Sequence, residues 1–291
     1  MLYASPTKGP LRHFAFDARR GLTLNPMRLV LVPTPIGNLE DITLRALRVL
    51  KEAEVVACED TRRTGLLLRH YGIAKPTLRL DQHTIRRARE LLEGYSYVAY
   101  ATDAGTPGIS DPGAELVALG LKAGWQVEVL PGPTALIVAL VASGLPTARF
   151  AFEGFLPQKA SERRERLKSI ATGRTVVLYE APHRLRETLE QLIQLYGPDH
   201  PVAVARELSK LHEEVFRGSL GEALAHFGEP RGEFVLVLAP RAELESPAPD
   251  AQELLERLRA QGLRGKALVK ALVEAGIPRN QAYTLAHGAP A

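Results

Sequence analysis

The sequence predicts two α/β domains followed by a small helical unit. Short apolar runs alternate with amphipathic segments of helical period from Met27 to about residue 240, and this alternation is typical of sheets covered by helices. The stretch RAELESPAPDA then interrupts the alternation, and three short helical segments separated by glycine follow it. Proline and acidic residues without a period are typical of a linker, so the three helical segments form a third unit.

The composition is that of a globular protein. The chain has 291 residues, of which 45% are hydrophobic and 24% charged, and it contains no apolar run near the ~18 residues that a membrane span needs. We therefore predict no membrane insertion. The single cysteine, Cys58, excludes an intramolecular disulfide and a cysteine-based zinc site, which fits the cytoplasm. The net charge of +4 is compatible with an anionic partner.

Residues 1–26 differ from the rest of the sequence. They lack a sustained period, and a strand pattern begins only after Met27. The segment has neither the apolar core nor the small-residue cleavage site of a secretory signal. We predict a disordered extension, or a start codon that is assigned too early.

The first predicted domain, residues 27–147, contains a largely parallel sheet. Asp41 and Thr84 are predicted N-caps of two of its helices, and Gly72 and Gly94 are predicted to end two helices. The segment PTALIVALVASG is apolar on most faces of a helix, which predicts burial. The predicted strands are RLVLVP, EVVAC, PTLRL, YVAYATD and QVEVLPG.

The second predicted domain, residues 148–240, contains a mixed sheet, because two of its strands follow one another with little helix between them. A linker is predicted over 241–250 and a helix-turn-helix-like unit over 251–291. The predicted strands of the second domain are FAFEGFL, TVVLYEA, PVAVAREL, EEVFRGSL and GEFVLVLAP.

Three loops rich in glycine and proline follow strands of the first domain: VPTPIGNLED, DAGTPGISDPG and LPGPTAL. Ligands of open α/β sheets bind outside the carboxyl ends of the strands, where these loops lie. None of the loops contains a lysine or matches a phosphate-binding glycine motif. Carbonyl, hydroxyl and carboxylate groups dominate the loops, and they suit a ligand with a cationic or uncharged polar body.

Five motifs in this order carry a family resemblance: LVPTPIGNLEDITLRAL, EDTRRTGLLLRHYGI, DAGTPGISDPG, LPGPTALIVAL and YEAPHRL. Together they resemble the tetrapyrrole-methylase-like class of S-adenosylmethionine-dependent methyltransferases, and within it the branch that acts on ribosomal RNA. The resemblance extends from about Arg28 to Pro240, and the tail resembles the helix-turn-helix appendage of that branch. It implies two α/β domains of the tetrapyrrole methylase type, S-adenosyl-L-methionine in the interdomain cleft, and a homodimer.

The resemblance also implies which residues bind the cofactor. In the wider class the loop after the fourth strand reads G-D-P and holds the methionine part, whereas here it reads Gly105-Thr106-Pro107. A hydroxyl thus replaces a carboxylate, and either Asp103 or Asp111 could supply the charge. The remaining residues implied for the cofactor pocket are Pro35, Ile36, Ile109, Thr134 and Ala135, and in the second domain Leu178, Tyr179, Ala205 and Glu233.

Candidate catalytic residues are polar side chains that follow strands. Methyl transfer from a sulfonium is an in-line displacement, in which alignment can contribute ~7–11 kcal/mol, and a positioned base or cation would activate a poorly nucleophilic ribose hydroxyl. Asp60 has an alternative role as the cap of the helix that starts at Thr61. For His183 and Lys210 the alternative to a catalytic role is that of an ordinary solvent-exposed side chain. The candidates are Asp60, Arg62, Glu180, His183 and Lys210.

The function that the resemblance implies is 2′-O-methylation of a cytidine ribose in the 16S rRNA of the 30S ribosomal subunit. The basic runs IRRARE, SERRERLK, HRLRE and RLRAQGLRGK would contact RNA phosphates, although each could also be a solvated helix face. A precorrin-type tetrapyrrole C-methyltransferase and a non-catalytic, RNA-binding ribosome-assembly factor are the alternatives. No histidine pair has the spacing of a helical zinc site, so no metal is predicted.

Overall fold

The computed structural model describes residues 26–170, 173–241, 251–275 and 277–287. The predicted N-terminal extension, apart from its last residue, and most of the predicted linker lie outside the described residues. By its contacts the chain divides into two compact units. Among the described residues, unit 1 comprises 26–35 and 40–133, and unit 2 comprises 36–39 and those from 134 onward. The domain boundaries predicted from the sequence stay a prediction.

Unit 1 contains one five-stranded sheet covered by helices. Its elements are β1 Arg28–Val32, α1 Leu44–Glu52, β2 Val55–Cys58, α2 Thr61–His70, β3 Thr77–Arg79, α3 Ala88–Leu91, β4 Tyr97–Ala101, α4 Gly113–Lys122 and β5 Gln126–Val129. The strand order is β3-β2-β4-β1-β5, and every pairing is parallel. The predicted parallel sheet is therefore confirmed, and all carboxyl ends of its strands lie at one edge.

Strand β1 lies inside this sheet and is buried on both faces. Val30 and Val32 pack in one apolar cluster with Leu50 of α1, and Leu29 and Leu31 pack in another on the opposite face. Such burial on both faces explains why the strand reads as an uninterrupted apolar run.

The first predicted helix cap is wrong. Asp41 ends a short 3-10 turn, and the N-cap of α1 is Thr43, whose hydroxyl accepts a 3.0 Å hydrogen bond from the Ala46 N–H. The N-cap of α1 therefore lies two residues later than predicted, and the sequence pattern does not reveal the 3-10 turn that precedes it. The predicted end of α2 at Gly72 is confirmed, because this glycine has φ 64° just after the last turn.

Thr84 stands at the predicted N-cap position, directly before Ile85, but its side chain makes no capping bond. Its hydroxyl accepts instead from the Asp81 N–H at 2.9 Å, and the Asp81 carboxylate accepts from the His83 and Thr84 N–H groups at 3.0 Å. The expected single helix is a 3-10 turn, Ile85–Arg87, followed by the short helix α3.

Unit 2 contains a second five-stranded sheet. Its elements are α5 Ala135–Ala142, β6 Phe150–Phe155, α6 Ala160–Ser169, β7 Thr175–Glu180, α7 Pro182–Tyr196, β8 Pro201–Arg206, β9 Glu214–Ser219, α8 Leu220–His226 and β10 Phe234–Leu238. The strand order is β6-β7-β10-β8-β9; β6 and β7 are parallel and the other pairs antiparallel, which confirms the predicted mixed sheet. Since β7 and β8 are both antiparallel to β10, they end at the same edge, where β10 begins.

Helix α5 departs from its predicted burial. Leu136, Ala139 and Leu140 are buried, and the helix contacts β7 and β10. The opposite face is apolar yet exposed, because a helix beside one sheet can bury only one side. The exposed residues are Ile137 (42%), Val138 (40%) and Val141 (68%).

Helix α8 is an element that the sequence reasoning missed. Its signal is a capping box, in which the Ser219 hydroxyl accepts from the Glu222 N–H and the Glu222 carboxylate accepts from the Ser219 N–H. With only seven residues, the helix is too short to show a clear period.

The tail consists of three helices, α9 Ala251–Ala260, α10 Gly265–Glu274 and α11 Arg279–His287, as predicted. These helices contact one another and share an apolar cluster of their own. No helix in the described ranges is long and apolar enough to cross a membrane. The buried residues of the tail cluster are Leu254, Leu255, Leu268, Val269, Leu272, Ile277 and Ala282.

Candidate functional site

The loops after β1 and β4 of unit 1 are joined by backbone hydrogen bonds. Thr34 and Gly105 exchange two of them, with N···O distances of 3.0 and 2.9 Å. The buried hydroxyls of Thr34 and Thr102 donate to the carbonyls of Thr102 and Gly105 at 3.2 and 3.1 Å. These bonds fix Gly105 at φ 82°, a conformation that favours glycine, at the carboxyl edge where α/β sheets bind ligands.

Asp111 anchors the loop after β4 from inside. Its carboxylate accepts hydrogen bonds from the N–H groups of Gly108 (2.8 Å), Ile109 (3.0 Å) and Gly113 (2.7 Å). A Cβ on Gly113 would lie 2.5 Å from the Gly108 nitrogen, so this turn requires glycine. Of the two aspartates that the sequence left open, Asp111 is thus engaged within the loop.

Asp103 keeps a more open position at the same edge. Its carboxylate accepts from the Asp60 N–H at 3.2 Å and pairs with Arg63 at 3.3 Å, and the side chain is 30% exposed. It therefore remains available to a ligand with positive charge.

The third glycine-proline loop contacts the other two. The Thr106 hydroxyl donates to the Pro133 carbonyl at 2.8 Å, and a Cβ on Gly132 would collide with the Pro33 ring. Pro35 and Pro107 are buried, and Ile109 is half-buried. The structure thus brings the unit 1 residues of the predicted cofactor pocket to one strand edge.

Asp60 serves as a helix cap and an ion-pair partner at once. Its carboxylate accepts from the Arg62 backbone N–H at 2.8 Å and from the Arg62 guanidinium at 2.9 Å. Hydrogen bonds from that side chain and backbone hold the pKa of Asp60 far below its usual range. At neutral pH Asp60 is therefore an anion, and the capping alternative is confirmed.

Glu59, which is not among the predicted site residues, adds a carboxyl group whose pKa is shifted in the opposite direction to that of Asp60. Burial raises its pKa, and the negative charges of Asp111 and Asp103 act in the same direction. The edge of unit 1 thus carries an acidic patch with one carboxyl group that binds a proton more readily.

Glu180, at the end of β7 in unit 2, has the contacts of a structural residue. Its side chain is fully buried, and it accepts from the Thr188 hydroxyl at 2.6 Å and the Ala181 N–H at 2.8 Å. Arg184 lies 3.4 Å away and also donates to the Leu156 carbonyl. His183, by contrast, is exposed on the first turn of α7.

The remaining unit 2 residues of the predicted pocket fall into two groups. The side chains of Leu178 and Ala205 are buried in the sheet, so only their backbone could reach a ligand. Tyr179 is half-buried, and its hydroxyl accepts from the Leu136 N–H at 3.2 Å, in the first turn of α5. Thr134 is the N-cap of α5 without a side-chain capping bond, and Ala135 is the first residue of that helix.

Lys210 and Glu233 come together at the same edge of unit 2. The Lys210 ammonium contacts the Glu233 carboxylate at 3.1 Å and the Glu207 carboxylate at 2.9 Å. Gly37, the neighbour of Ile36, packs against the stem of Lys210. The stretch from Arg206 to Lys210 follows a predicted strand, but only Lys210 was selected from it, because no sequence pattern marks the left-handed conformation of Glu207, φ 51°. Among the described residues, no group of three or more His, Cys, Asp or Glu side chains could hold a metal ion.

Comparison with known proteins identifies the class. The family model of the tetrapyrrole (corrin/porphyrin) methylases matches residues 28–224. The chain therefore belongs to the tetrapyrrole methylase family, and the predicted fold class and methyltransferase class are confirmed.

Two relatives make the comparison more specific. A protein of Synechocystis sp. is 46% identical over 268 residues, covering 88% of this chain and 96% of the relative. A protein of Halalkalibacterium halodurans is 42% identical over 274 residues, covering 89% of this chain and 94% of the relative. Both are named ribosomal RNA small subunit methyltransferase I, which confirms the resemblance drawn from the five motifs.

Solved structures agree on the fold. Uroporphyrin-III-C-methyltransferase from Thermus thermophilus is 26% identical with a TM-score of 0.55, covering 74% of this chain and 92% of that one. The same enzyme complexed with S-adenyl homocysteine matches with 25% identity and a TM-score of 0.54, covering 73% of this chain and 92% of that one.

Proposed function

We propose that the protein is an S-adenosyl-L-methionine-dependent methyltransferase that methylates the ribose 2′-hydroxyl of a cytidine in 16S rRNA of the small ribosomal subunit. The observation that carries the proposal is the 46% identity to a small-subunit rRNA methyltransferase across 96% of that relative's length. The choice of cytidine and of the 2′ position comes from the family resemblance of the motifs.

The proposed cofactor pocket starts from the strand edge of unit 1. Backbone held at Gly105 and the acidic side chain of Asp103 suit a ligand that carries a sulfonium and an amino group, and the uroporphyrin-III-C-methyltransferase complex with S-adenyl homocysteine supports this ligand class. We assign Leu178 and Ala205 backbone contacts only. The other proposed cofactor contacts are Pro35, Ile36, Thr106, Pro107, Ile109, Thr134, Ala135, Tyr179 and Glu233.

In the proposed reaction the cofactor supplies a methyl group on a sulfonium. The sulfur–carbon bond breaks, the bond from the ribose oxygen to carbon forms, and the hydroxyl proton leaves to water. The chain would orient the acceptor and stabilise charge on its oxygen. Asp60, Arg62, His183 and Lys210 are the proposed side chains for these tasks. Glu180 is the least accessible of the predicted catalytic residues, and its proposed role is to hold Arg184 and the start of α7.

The proposed RNA contact lies mainly on the tail. Its basic side chains are exposed, while its apolar residues pack among themselves, so the module can offer positive charge to phosphates. A ribosomal substrate would place the protein in the cytoplasm. The exposed basic residues of the tail are Arg257, Arg259, Arg264, Lys266, Lys270 and Arg279.

We also propose that the protein is a homodimer. The exposed apolar face of α5, formed by Ile137, Val138 and Val141, supports this proposal, since contiguous apolar patches on soluble proteins often mark interaction sites.

A tetrapyrrole C-methyltransferase is the second candidate. The fold match to uroporphyrin-III-C-methyltransferase favours it, but that identity is 26%, against 46% for the rRNA methyltransferase relative. A non-catalytic assembly factor would have no need to bind S-adenosyl-L-methionine.

Methyl transfer tests the proposal. Protein and tritiated S-adenosyl-L-methionine are incubated with 30S subunits that lack the modification, with fully modified 30S subunits as control, and with uroporphyrinogen in parallel. We expect label only in the unmodified subunits, and an alkali-resistant dinucleotide with labelled 2′-O-methylcytidine after hydrolysis. Label on the porphyrinoid alone would favour the second candidate. Cofactor binding without any methyl transfer would contradict both enzymatic functions, the rRNA methyltransferase and the tetrapyrrole C-methyltransferase.

A further inference from the structure

The loop after β8 in unit 2 holds a strained backbone. Glu207 and Ser209 have φ values of 51° and 63°. Such left-handed conformations are costly for residues other than glycine, and they cluster at functional sites. The strain therefore points to a functional role for this loop.

Two glycines pack against the loop from outside it. A Cβ on Gly37 would lie 2.5 Å from Lys210 Cγ and 2.8 Å from the Leu208 carbonyl oxygen. A Cβ on Gly232 would lie 2.6 Å from Glu207 Cγ. Because neither position has room for a side chain, the backbone on both sides closely confines Glu207 and Lys210.

The charged groups of the loop form a small network. Glu207 accepts from the Lys210 ammonium and from the Glu233 backbone N–H, each at 2.9 Å, and its own N–H donates to the Glu233 carbonyl at 3.0 Å. The Lys210 ammonium also donates to the Glu233 carboxylate at 3.1 Å. Two of its three N–H groups are thus engaged within the protein.

The network keeps Lys210 protonated. Burial alone would lower the pKa of Lys210, but the hydrogen bonds that its ammonium donates to Glu207 and Glu233, with the charges of both carboxylates, outweigh burial and raise the pKa above its usual range. Lys210 is therefore a cation at neutral pH, unsuited to act as a base. Its side chain is 30% exposed and that of Glu207 is 19% exposed, so the third N–H can reach a ligand.

We propose that Lys210 donates its third N–H to the ribose oxygen that receives the methyl group, and that Glu207 is the positioning residue that holds Lys210 for this contact. The inference rests on the proposed function. Its basis is the strained loop, the two glycines that confine it and the hydrogen-bond network, all at the edge where β7 and β8 end. A fixed cation stabilises the negative charge that develops as the hydroxyl proton leaves to water.

Glu207→Gln tests the positioning role. The amide keeps the size and an acceptor oxygen but removes the charge. We expect kcat for methyl transfer to 30S subunits to fall about tenfold while KM for the subunits changes less than about twofold. Glu207→Asp, which keeps the carboxylate, should recover part of this loss in kcat. A loss of packing alone would give no such recovery, because the shorter aspartate fills the space less well than glutamine.

Two further variants serve as controls. Glu229→Gln changes an exposed carboxylate that faces Arg231 at 3.5 Å, and it should leave kcat unchanged. Lys210→Arg in the otherwise unchanged chain should keep a larger share of kcat than Lys210→Met, since a guanidinium keeps the positive charge. This variant keeps the proposal testable if Glu207→Gln does not fold.

The outcomes separate the inference from the proposed function. Wild-type protein that transfers no methyl group to 30S subunits would overturn both. Transfer by the wild type would overturn the inference alone if kcat is unchanged in folded Glu207→Gln, if Glu207→Asp recovers none of the loss, or if Lys210→Arg and Lys210→Met lose kcat equally. Loss of S-adenosyl-L-methionine affinity in Glu207→Gln, measured by calorimetry, would also overturn it, because the network would then serve the cofactor.

Discussion

The strand ends of the two units are built in different ways. In unit 1 the loops are held by backbone hydrogen bonds, as between Thr34 and Gly105, and by the Asp111 carboxylate inside the loop. In unit 2 the corresponding edge is held by charged side chains, with Glu180 buried beneath α7 and Lys210 between two carboxylates. The first edge thus presents a backbone surface, which we propose binds the cofactor, whereas the second edge positions individual charged side chains.

The largest expected effect concerns the backbone surface. Gly105→Val places a β-branched residue at φ 82°, and we expect S-adenosyl-L-methionine affinity to fall about 100-fold or more, a cost of about 3 kcal/mol or above. The matched control is Gly124→Val, at φ 76° with no atom within 4 Å of the added Cβ. Both variants should lose stability, but only the first should lose binding by calorimetry. Wild-type affinity in a folded Gly105→Val protein would refute the role of this loop.

Removal of the tail tests whether RNA contact lies outside both strand edges. A protein that ends at Arg241 should keep its cofactor affinity and bind 30S subunits about tenfold more weakly. Its log–log salt slope should be smaller by about 0.7–0.9 for each phosphate that the tail would have neutralised. Little stability should be lost, because the tail has its own apolar cluster. Unchanged particle binding with a lowered melting temperature would instead make the tail a structural cap.

A smaller effect is expected from Glu180→Gln. The substitution weakens the bonds to Thr188, Ala181 and Arg184 in a buried place, so we expect a loss of about 1–3 kcal/mol in the free energy of unfolding. The rate of methyl transfer per folded molecule should stay near that of the wild type. Denaturant unfolding and turnover, measured on the same sample, check this. A large fall in turnover at unchanged stability would restore Glu180 as a catalytic candidate.

The sequence predicted the regular parts of both units well, because alternating apolar runs and glycine stops report directly on strands and helix ends. It could not predict which side of α5 is covered, since Ile137 and Leu140 are equally apolar and only the position of the sheet distinguishes them. It misplaced the cap at Asp41 because Thr43, two residues later, is also a good capping residue. It could not predict that the Thr84 hydroxyl bonds to Asp81 and not to the helix.

The site was predicted in its backbone loops but less well in its side chains. Glycine and proline mark the unit 1 loops in the sequence itself. The contacts of Lys210 with Glu207 and Glu233, and the left-handed Glu207, depend on close packing with residues distant in the sequence, such as Gly37 and Gly232. Local patterns carry no trace of such packing.

The contrast between the two edges is tested most directly by the cofactor affinity of Lys210→Met, measured by calorimetry beside its methyl transfer to 30S subunits. We expect S-adenosyl-L-methionine affinity within about twofold of the wild type and transfer slower by about 100-fold, the usual effect of losing one donor to a developing charge. A loss of cofactor affinity, or transfer at the wild-type rate, would contradict the proposed division between cofactor binding at the first edge and charge stabilisation by Lys210 at the second.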